Sequence, residues 1–397
     1  MNAPVTNINI IGEEFADNPW PALKALREQG PVVWHKGYQR WLITTDRDIR
    51  KVALNSDRFT VEGTVVEDLF GADAFIAMDD RARHNDFRGV WAESFRPQAM
   101  ASLRGDVAEI IAELIKPVAE KFHSGEAVNI SLALCRPLPT MVIALMMGVP
   151  RERLADIVQW SDALAGGSTS YVDEASKQQI IENREQAKTA LADYMLELLK
   201  QRRQSPGSDL ISLIAREAAT KKFPDQQIVQ NLRQLLFAGN ETTAKWLDHI
   251  FLTYGQYTDA RREITADRSL IRGANEEVMR WQGVVGTLPR KVRGGAIVVA
   301  GVELGDGDDV SCVLASGNRD AARYQNPDEF DLHRIASPNL GFGVGMHNCL
   351  GANLARLEAE MVVNALFDVI PDYEISAAYH YSSLPLRGPA PVTIARV

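Results

Sequence analysis

The segment spanning residues 225–257, DQQIVQNLRQLLFAGNETTAKWLDHIFLTYGQY, constrains the fold more than any other part of this chain. Its apolar residues recur at helical spacing. At ~1.5 Å per residue, a helix of this length runs about 50 Å, which is the width of a whole domain. Such a helix must be apolar on most faces at its middle, as the stretch LLFAG is. We therefore predict one long helix through the centre of the molecule.

The middle of this segment carries AGNETT, residues 238–243, where stronger helix formers would be expected. Glycine inside a helix costs about 1 kcal/mol relative to alanine. A threonine hydroxyl can bond to the carbonyl four residues earlier and bend the helix. One interpretation is a packing notch where another helix crosses. The other is an opened helix that holds an acid, Glu241, and an alcohol, Thr242, beside a ligand.

A second informative stretch is GFGVGMHNCLGANLAR, residues 341–356, which places a cysteine among glycines. Helical spacing of apolar residues begins just after it, so Cys349 precedes a helix N-terminus. The positive end of a helix stabilises a thiolate, and we expect it to lower the pKa of the thiol. Cys135 and Cys312 stand at no spacing typical of zinc or iron–sulfur sites. A haem-ligating thiolate, a nucleophile with His347 as its base, and a buried structural cysteine remain open.

Composition limits the class of protein. The chain has 397 residues, is 46% apolar and carries a net charge of −9. No linker, repeat or low-complexity tract divides it, so we expect a single domain over residues 1–397. The acidic balance argues against nucleic acid as a partner. No apolar run approaches the ~20 residues of a membrane span. No signal peptide is evident, and three cysteines suit the cytoplasm.

The remaining patterns indicate a mainly α protein with a smaller β part. Residues 97–260 are mostly of helical periodicity. Residues 31–45 resemble a β-hairpin, and residues 296–316 return to strands around a Gly/Asp turn. Because these two strand regions come from opposite ends of the chain, we predict an α+β arrangement in which both ends share the β part.

Taken together, these features resemble the cytochrome P-450 haem-thiolate monooxygenases, and the resemblance covers nearly the entire chain. FGVGMHNCLG (342–351) matches the family's haem-ligand loop, and AGNETT (238–243) matches its oxygen-activation motif. EEVMR (276–280) matches the Glu-x-x-Arg helix, and NPDEFDLHR (326–334) matches the segment that adds a second arginine. RARHNDFR (81–88) matches the His-x-x-x-Arg helix near the haem. The resemblance implies the cytochrome P-450 fold, with the long helix over haem b.

The resemblance also implies a role for individual residues. Cys349 would be the axial ligand of the haem iron, and Glu241 and Thr242 would deliver protons. Other haem contacts would come from His84, Arg88, Ala238, Arg290, Phe342, Gly343, His347 and Gly351. A buried structural charge network would consist of Glu277, Arg280 and Arg334. The substrate pocket would include Val284, Val285, Thr287 and Leu384.

The activity implied is that of an oxidoreductase that inserts one oxygen atom of O2 into a small hydrophobic substrate, such as a terpenoid or an aromatic. Electrons would come from a separate ferredoxin and ferredoxin reductase, because the sequence has no Gly-rich nucleotide fingerprint and no iron–sulfur cysteine set. One alternative is a haem-thiolate enzyme that uses peroxide or isomerises its substrate. Another is a haem-based ligand sensor without turnover. The pair Glu241 and Thr242 argues against both.

Three positions depart from the family pattern. Val284 and Ala321 stand where proline is usual, and Asn339 stands where histidine is common. We expect the loop after residues 276–280 to take a different path toward the substrate, and one contact to a haem propionate to differ.

Overall fold

The computed structural model describes residues 3–10, 13–165, 174–335, 337–381 and 384–397. The α-helices of these residues are, in chain order, α1 (Glu13–Asp17), α2 (Trp20–Gln29), α3 (Asp46–Leu54), α4 (Val65–Phe70), α5 (Arg81–Ala92), α6 (Pro97–His123), α7 (Pro137–Met146), α8 (Leu154–Ala165), α9 (Glu174–Gln204), α10 (Leu210–Lys221), α11 (Asp225–Gln256), α12 (Thr258–Ala266), α13 (Ile271–Gln282), α14 (Leu314–Gly317) and α15 (Ala352–Val369). A mainly α chain was predicted, and these helices confirm it.

The strands are short. They are β1 (Val5–Thr6), β2 (Val32–His35), β3 (Arg40–Ile43), β4 (Phe59–Thr60), β5 (Val128–Asn129), β6 (Leu288–Val292), β7 (Ile297–Val299), β8 (Val302–Leu304), β9 (Asp309–Cys312), β10 (Glu374–Ile375), β11 (His380–Tyr381), β12 (Pro389–Ala390) and β13 (Thr393–Ala395). The largest sheet has the order β1-β2-β3-β9-β6-β4. A three-stranded sheet has the order β10-β13-β5, and β7-β8 and β11-β12 form two-stranded sheets.

The largest sheet joins the two ends of the chain. Strands β2 and β3 pair as an antiparallel hairpin, with Trp34 opposite Trp41. Strand β3 then pairs in parallel with β9, and Trp41 lies opposite Val310. Buried apolar residues of both regions form one cluster beneath the sheet. The predicted β part, drawn from both ends of the sequence, is confirmed.

The long helix predicted over residues 225–257 is α11. It continues through residues 238–243 without a break, and the Thr242 hydroxyl donates a hydrogen bond to the Ala238 carbonyl at 2.6 Å. The interpretation as an opened helix is therefore wrong. A Cβ at Gly239 would lie 3.6 Å from the side chain of Ile143 on α7, an ordinary contact distance, so the packing of α7 does not require glycine there. Helix α11 thus runs through the main apolar core in close contact with α7.

Of the helices within the described ranges, none combines the length and the hydrophobicity that crossing a membrane requires.

Candidate active site

The cysteine loop makes a tight turn just before α15, in the segment that follows α14. The Cys349 backbone N–H donates to the Phe342 carbonyl at 2.8 Å and closes the loop. Gly343 has φ 67°, a left-handed conformation that side chains disfavour. A Cβ at Gly345 would lie 2.8 Å from the Ala53 carbonyl oxygen, so the backbone approach there requires glycine. Helix α15 starts three residues after Cys349, which places the thiol ahead of a helix N-terminus as the sequence predicts.

A cavity separates this loop from α11. Predicted site residues on its wall are Arg88, Ala238, Thr242, Val284, Val285, Phe342, Gly343, His347, Cys349 and Gly351. Apolar side chains fill much of the remaining wall, among them Phe75, Phe95, Ile143, Leu235, Leu288 and Leu314. Glu241, His84, Arg290 and Thr287 are absent from the described wall. The side chain of Leu384 falls outside the described residues, although its backbone begins a short 3-10 turn.

The Cys349 thiol lies deep among protein atoms with its surface open to the cavity. Burial raises the pKa of this thiol, while the Gly351 N–H, Arg88 and Arg356 act in the opposite direction. The lowered pKa expected from the helix end is therefore not found, because desolvation outweighs the helix end and the two arginines. A thiol in such a place loses its proton readily when it coordinates a metal ion.

Two histidines and an aspartate cluster beside the loop. His347 Nε2 lies 2.9 Å from Asp79 Oδ1, and the His347 ring meets the His84 ring edge-on at 5.2 Å. Burial lowers the pKa of His84 to about 4, and the neighbouring His347 and Arg88 act in the same direction. Burial alone would raise the pKa of Asp79, but hydrogen bonds from His347, Thr60 and Val61 hold it below its ordinary value. His347 is thus engaged by Asp79 rather than by the cysteine.

This cluster fits a ligand with carboxylates. His84 Nε2 and His347 Nδ1 are buried, and no residue that the structure describes supplies a hydrogen-bond partner for either atom. Buried ring nitrogens normally have a partner. Arg290 is 4% exposed, and Arg88 donates to the Asn348 carbonyl at 2.8 Å. Cationic and N–H donors of this kind suit the two propionates of haem b.

The cysteine side of the cavity also fits a haem. A Cβ at Gly351 would meet no atom within 4 Å, so the backbone leaves open space beside the thiol. A single cysteine thiolate matches axial haem ligation rather than a zinc site. Consistent with this, no group of three or more His, Cys, Asp or Glu residues in the described ranges could hold a metal ion.

On the α11 side of the cavity, Thr242 of the AGNETT motif lines the described wall and Glu241 does not. Thr242 lines the cavity, while its hydroxyl is bonded to the Ala238 carbonyl. The Glu241 carboxylate lies 3.5 Å from the Lys245 ammonium, and its side chain is 22% exposed. The two residues therefore lie on different faces of α11. Thr242 faces the cavity, and Glu241 forms a partly exposed ion pair with Lys245.

The three residues of the predicted charge network meet away from the cavity wall. Arg280 Nε and Nη2 each lie 2.7 Å from the two oxygens of Glu277. Arg334 Nε donates to the same carboxylate at 2.9 Å. Arg280 also donates to the carbonyls of Asn318 and Pro327. The network ties α13 to the segment that precedes the cysteine loop.

Several residues around the cavity escaped sequence reasoning. Asp79 is one, although it stands next to the matched motif at residues 81–88. Arg356, which the sequence placed on a ferredoxin-binding face, has its guanidinium 4.3 Å from the Phe342 ring centre and 2.6 Å from Glu276. Glu358 lines the cavity with no hydrogen-bond partner on Oε2 among the described residues, and burial raises its pKa to about 8. The sequence offered only the positions of Asp79 and Glu358 as a signal, and Glu358 lies in the second turn of α15.

A row of amides on α11 fastens the loop that precedes α5. Asn231 Oδ1 accepts the Phe75 N–H at 2.9 Å, and Asn231 Nδ2 donates to the Asp73 carbonyl at 2.9 Å. Gln230 Nε2 donates to the Phe70 carbonyl at 2.5 Å. The polar residues within QNLRQ, on an otherwise apolar helix, were the signal for these contacts. They hold one edge of the cavity in place.

Asn339, at the position where the family often has histidine, forms hydrogen bonds with protein groups. Its Oδ1 accepts the Gly341 N–H at 2.8 Å, and its Nδ2 lies 3.3 Å from Glu276 Oε2. Val284 is buried behind α13, and its carbonyl accepts the Arg387 N–H at 2.7 Å.

Comparisons with known proteins agree with this geometry. The family model described as Cytochrome P450 matches residues 5–368. Cyclomarin C epoxidase of Salinispora arenicola is 34% identical over 386 residues, which cover 94% of each chain. Vitamin D3 dihydroxylase of Streptomyces griseolus is 30% identical over 87% of this chain and 84% of its own. Substrate-free CYP109E1 of Bacillus megaterium superimposes with a TM-score of 0.88 at 27% identity, covering 96% of this chain and 98% of that one. With a cysteine loop, a long helix and a donor-lined cavity between them, the chain belongs to the cytochrome P450 family of oxidoreductases, whose cofactor is haem b.

Proposed function

We propose that this protein is a monooxygenase that inserts one oxygen atom of O2 into a small hydrophobic substrate. The observation that carries the proposal is the cavity itself, in which a single thiol and an alcohol face each other across mainly apolar walls. Two relatives named as an epoxidase and a dihydroxylase belong to the same family and match most of the chain.

Cys349 is proposed as the axial ligand, with His84, His347, Arg88 and Arg290 holding the haem propionates. When bound, the haem iron supplies O2 activation and oxygen transfer. The buried, unpartnered ring nitrogens of the two histidines support this assignment. Asp79 orients His347 through its 2.9 Å contact and keeps the other ring nitrogen directed away from the carboxylate.

Thr242 is proposed to hold a water molecule at the distal wall, and Glu241 to move protons toward it from solvent. A hydroxyl already bonded to a carbonyl, as Thr242 is, still accepts a hydrogen bond from water. The Glu241 carboxylate is partly exposed, which gives it access to solvent protons. General acid–base groups of this kind typically contribute 10²- to 10⁴-fold in rate.

The substrate is proposed to be small and apolar over most of its surface, such as a terpenoid or an aromatic. Phe75, Phe95, Ile143 and Leu235 offer apolar contacts and few hydrogen-bonding groups. Apolar burial would then supply most of the binding free energy.

Electrons are proposed to come from a ferredoxin and its reductase in the cytoplasm. Arg81 is exposed on α5, two turns before Arg88, which contacts the cysteine loop at Asn348. An exposed positive charge near the haem ligand suits an acidic electron carrier. All three cysteines are free, which is consistent with a reducing compartment.

Reconstitution tests the proposal. The reduced protein with carbon monoxide should give the red-shifted Soret band of thiolate ligation. With NADH, a surrogate ferredoxin and its reductase, an apolar substrate that shifts the ferric Soret band should yield a product containing one atom of ¹⁸O from ¹⁸O2. Product formed with hydrogen peroxide but never with NADH and O2 would contradict the proposal.

A further inference from the structure

One polar side chain interrupts the apolar part of the wall of the cavity between the cysteine loop and α11. The polar residues that α11 contributes to the described wall are Gln234, Thr242 and Thr243. Gln234 stands about two turns before Thr242, and its neighbours on the wall include the apolar residues Ile76 and Leu235. The function proposed above uses Thr242 and gives Gln234 no role.

The Gln234 amide has a partner at one of its two ends. The residue is only 3% exposed, so the amide has little access to bulk water. Oε1 accepts the Ile76 N–H at 3.4 Å, which identifies the other end of the amide as Nε2. Nε2 makes no hydrogen bond with any residue that the structure describes. Buried polar groups normally have a partner, and an amide NH2 group can only donate. The missing partner of Nε2 is therefore an acceptor.

The amide end of Gln234 lies at this cavity. Gln234 also borders a neighbouring recess, whose described wall carries charged side chains such as Asp68 and Arg184. Ile76, whose N–H contacts Oε1, lines the cavity and is absent from the described wall of the recess. Because the amide group is beside Ile76, its unpartnered Nε2 is available to a molecule bound in the cavity.

We infer that the substrate carries a neutral oxygen acceptor, such as a ketone oxygen, which accepts a hydrogen bond from Gln234 Nε2 while the rest of the molecule fills the apolar cavity. This inference rests on the proposed monooxygenase function and narrows its substrate class. A carboxylate is a poorer match, because burying a charge without a counter-ion is costly. Arg88, which supplies the arginine charge of the described wall, contacts the cysteine loop at Asn348.

Helix geometry sets the orientation of such a substrate. Gln234, Ala238 and Thr242 follow one another at intervals of four residues, which places them along one side of α11, and all three line the cavity. From Gln234 to Thr242 the helix rises by about 12 Å. An acceptor at Gln234 therefore leaves the opposite end of the substrate beside Ala238 and Thr242. Oxidation is expected at the end remote from the acceptor oxygen.

The test compares ketones with the hydrocarbons in which a methylene group replaces the carbonyl: benzylacetone with butylbenzene, menthone with menthane, and tetralone with tetralin. Binding to the haem-loaded protein is measured by equilibrium dialysis of labelled ligands. Infrared difference spectra record the carbonyl stretch of each bound, ¹³C-labelled ketone. Gln234→Met removes the amide and keeps the length of the side chain. Gln230→Met is the matched control, because Gln230 bonds to the Phe70 carbonyl of the adjoining loop and is absent from the described cavity wall.

Gln234→Met should weaken binding of at least one ketone by roughly tenfold and leave its hydrocarbon within about twofold, because only the ketone loses a hydrogen bond. Each ligand is compared with itself across the variants, so the different water solubilities of ketone and hydrocarbon cancel. The carbonyl band of that ketone should lie at lower frequency in the wild type than in hexane and should return toward the hexane value in Gln234→Met. Gln230→Met should match the wild type in both measurements.

Three results would overturn the inference. One is a loss of affinity in Gln234→Met that is absent for every ketone or equal for ketone and hydrocarbon. Another is a carbonyl band at the hexane frequency in the wild type, which tests the hydrogen bond even if Gln234→Met folds poorly. The third is the same selective loss of ketone binding in Gln230→Met, which would assign the effect to the loop instead of the amide.

The same samples separate this inference from the proposed function. A thiolate-type carbon monoxide spectrum and NADH-driven oxygenation of a hydrocarbon, with no effect of Gln234→Met on any ketone, would reject the acceptor site alone. A protein that shows neither the spectrum nor the oxygenation would reject the proposed function, whatever its affinity for ketones in dialysis.

Discussion

The Glu241 carboxylate pairs with the Lys245 ammonium at 3.5 Å, one turn further along α11, while the adjacent Thr242 lines the cavity. The acid and the alcohol of one short motif therefore face different surroundings. An acid on the partly exposed side can collect protons from solvent, and an alcohol on the cavity side can pass them on. This division of position leads to separate predictions for the two residues.

Glu241→Gln should slow NADH-dependent product formation by roughly tenfold or more, because the amide cannot carry a proton. Substrate binding should change little, since Glu241 does not line the described cavity wall. The measurement is the turnover rate at saturating substrate and ferredoxin. Lys245→Met is the matched control, because it removes the ion pair and keeps the carboxylate. If both variants lost the same rate, the ion pair between Glu241 and Lys245 would matter for structure, and Glu241 would not act in proton transfer.

Thr242→Ala should leave folding and substrate binding nearly intact, because alanine is a better helix former than threonine. NADH consumption should continue, but hydrogen peroxide should be released in place of product. The measurement is product formed per NADH consumed, with peroxide assayed in parallel. Thr242→Ser keeps the hydroxyl and should retain most of the coupling. Wild-type coupling in Thr242→Ala would show that the hydroxyl serves only its bond to Ala238.

The parts of the fold that sequence could predict are those with a local physical cause. The length and apolar faces of residues 225–257 require a long buried helix, and α11 is that helix. The glycines around Cys349 require a tight turn, and Gly343 and Gly345 have positive φ there. Both features follow from residues close together in the chain.

What sequence could not predict depends on residues distant in the chain. Asp79 meets His347 across 268 positions, and no local pattern pairs them. The pKa of the Cys349 thiol was expected to fall because of its helix end, but the surrounding core that desolvates it comes from other elements. The side on which Glu241 lies also depended on Lys245 and on the path of α11 past α7.

Glu277→Ala should destabilise the protein strongly, by about 3–5 kcal/mol, because it leaves the buried Arg280 and the adjacent Arg334 without their shared carboxylate. The measurement is the free energy of unfolding in urea, together with the haem content of the purified protein. Glu109→Ala breaks an exposed pair with Arg151 and should cost no more than about 1 kcal/mol. If the Glu277→Ala and Glu109→Ala variants had similar free energies of unfolding, the charge network would not stabilise the fold.

Glu358 should make stability depend on pH. Burial raises its pKa to about 8 from an ordinary value of 4.5, so the folded state holds the proton more tightly than the unfolded state. Its stabilising contribution is complete below about pH 4.5 and is lost as pH rises toward 8, by up to about 1.4 kcal/mol per pH unit. Glu358→Gln should remove this slope and become the more stable form at pH 8.

The check for Glu358 is a series of urea titrations from pH 5 to pH 8.5 on the haem-loaded protein. Glu374→Gln, which changes an exposed carboxylate on β10, should keep the wild-type slope. If Glu358→Gln and the wild type lose stability in parallel over this range, then Glu358 is ionised in the folded protein and its burial is relieved by a contact with the cofactor or water.

Arg81→Glu should slow reduction of the haem by ferredoxin, because Arg81 is exposed on α5, two turns before Arg88, which contacts the cysteine loop. Association steered by opposite charges is fast at low salt and weakens as salt rises. We expect roughly a tenfold slower first electron transfer at low ionic strength, a flatter salt dependence and unchanged substrate affinity. Stopped-flow absorbance under carbon monoxide measures the rate.

Lys200→Glu reverses a charge on α9, away from the loop, and its haem should be reduced as fast as that of the wild type. If the rate of haem reduction changed neither with ionic strength nor in Arg81→Glu, the electron donor would bind another face of the molecule.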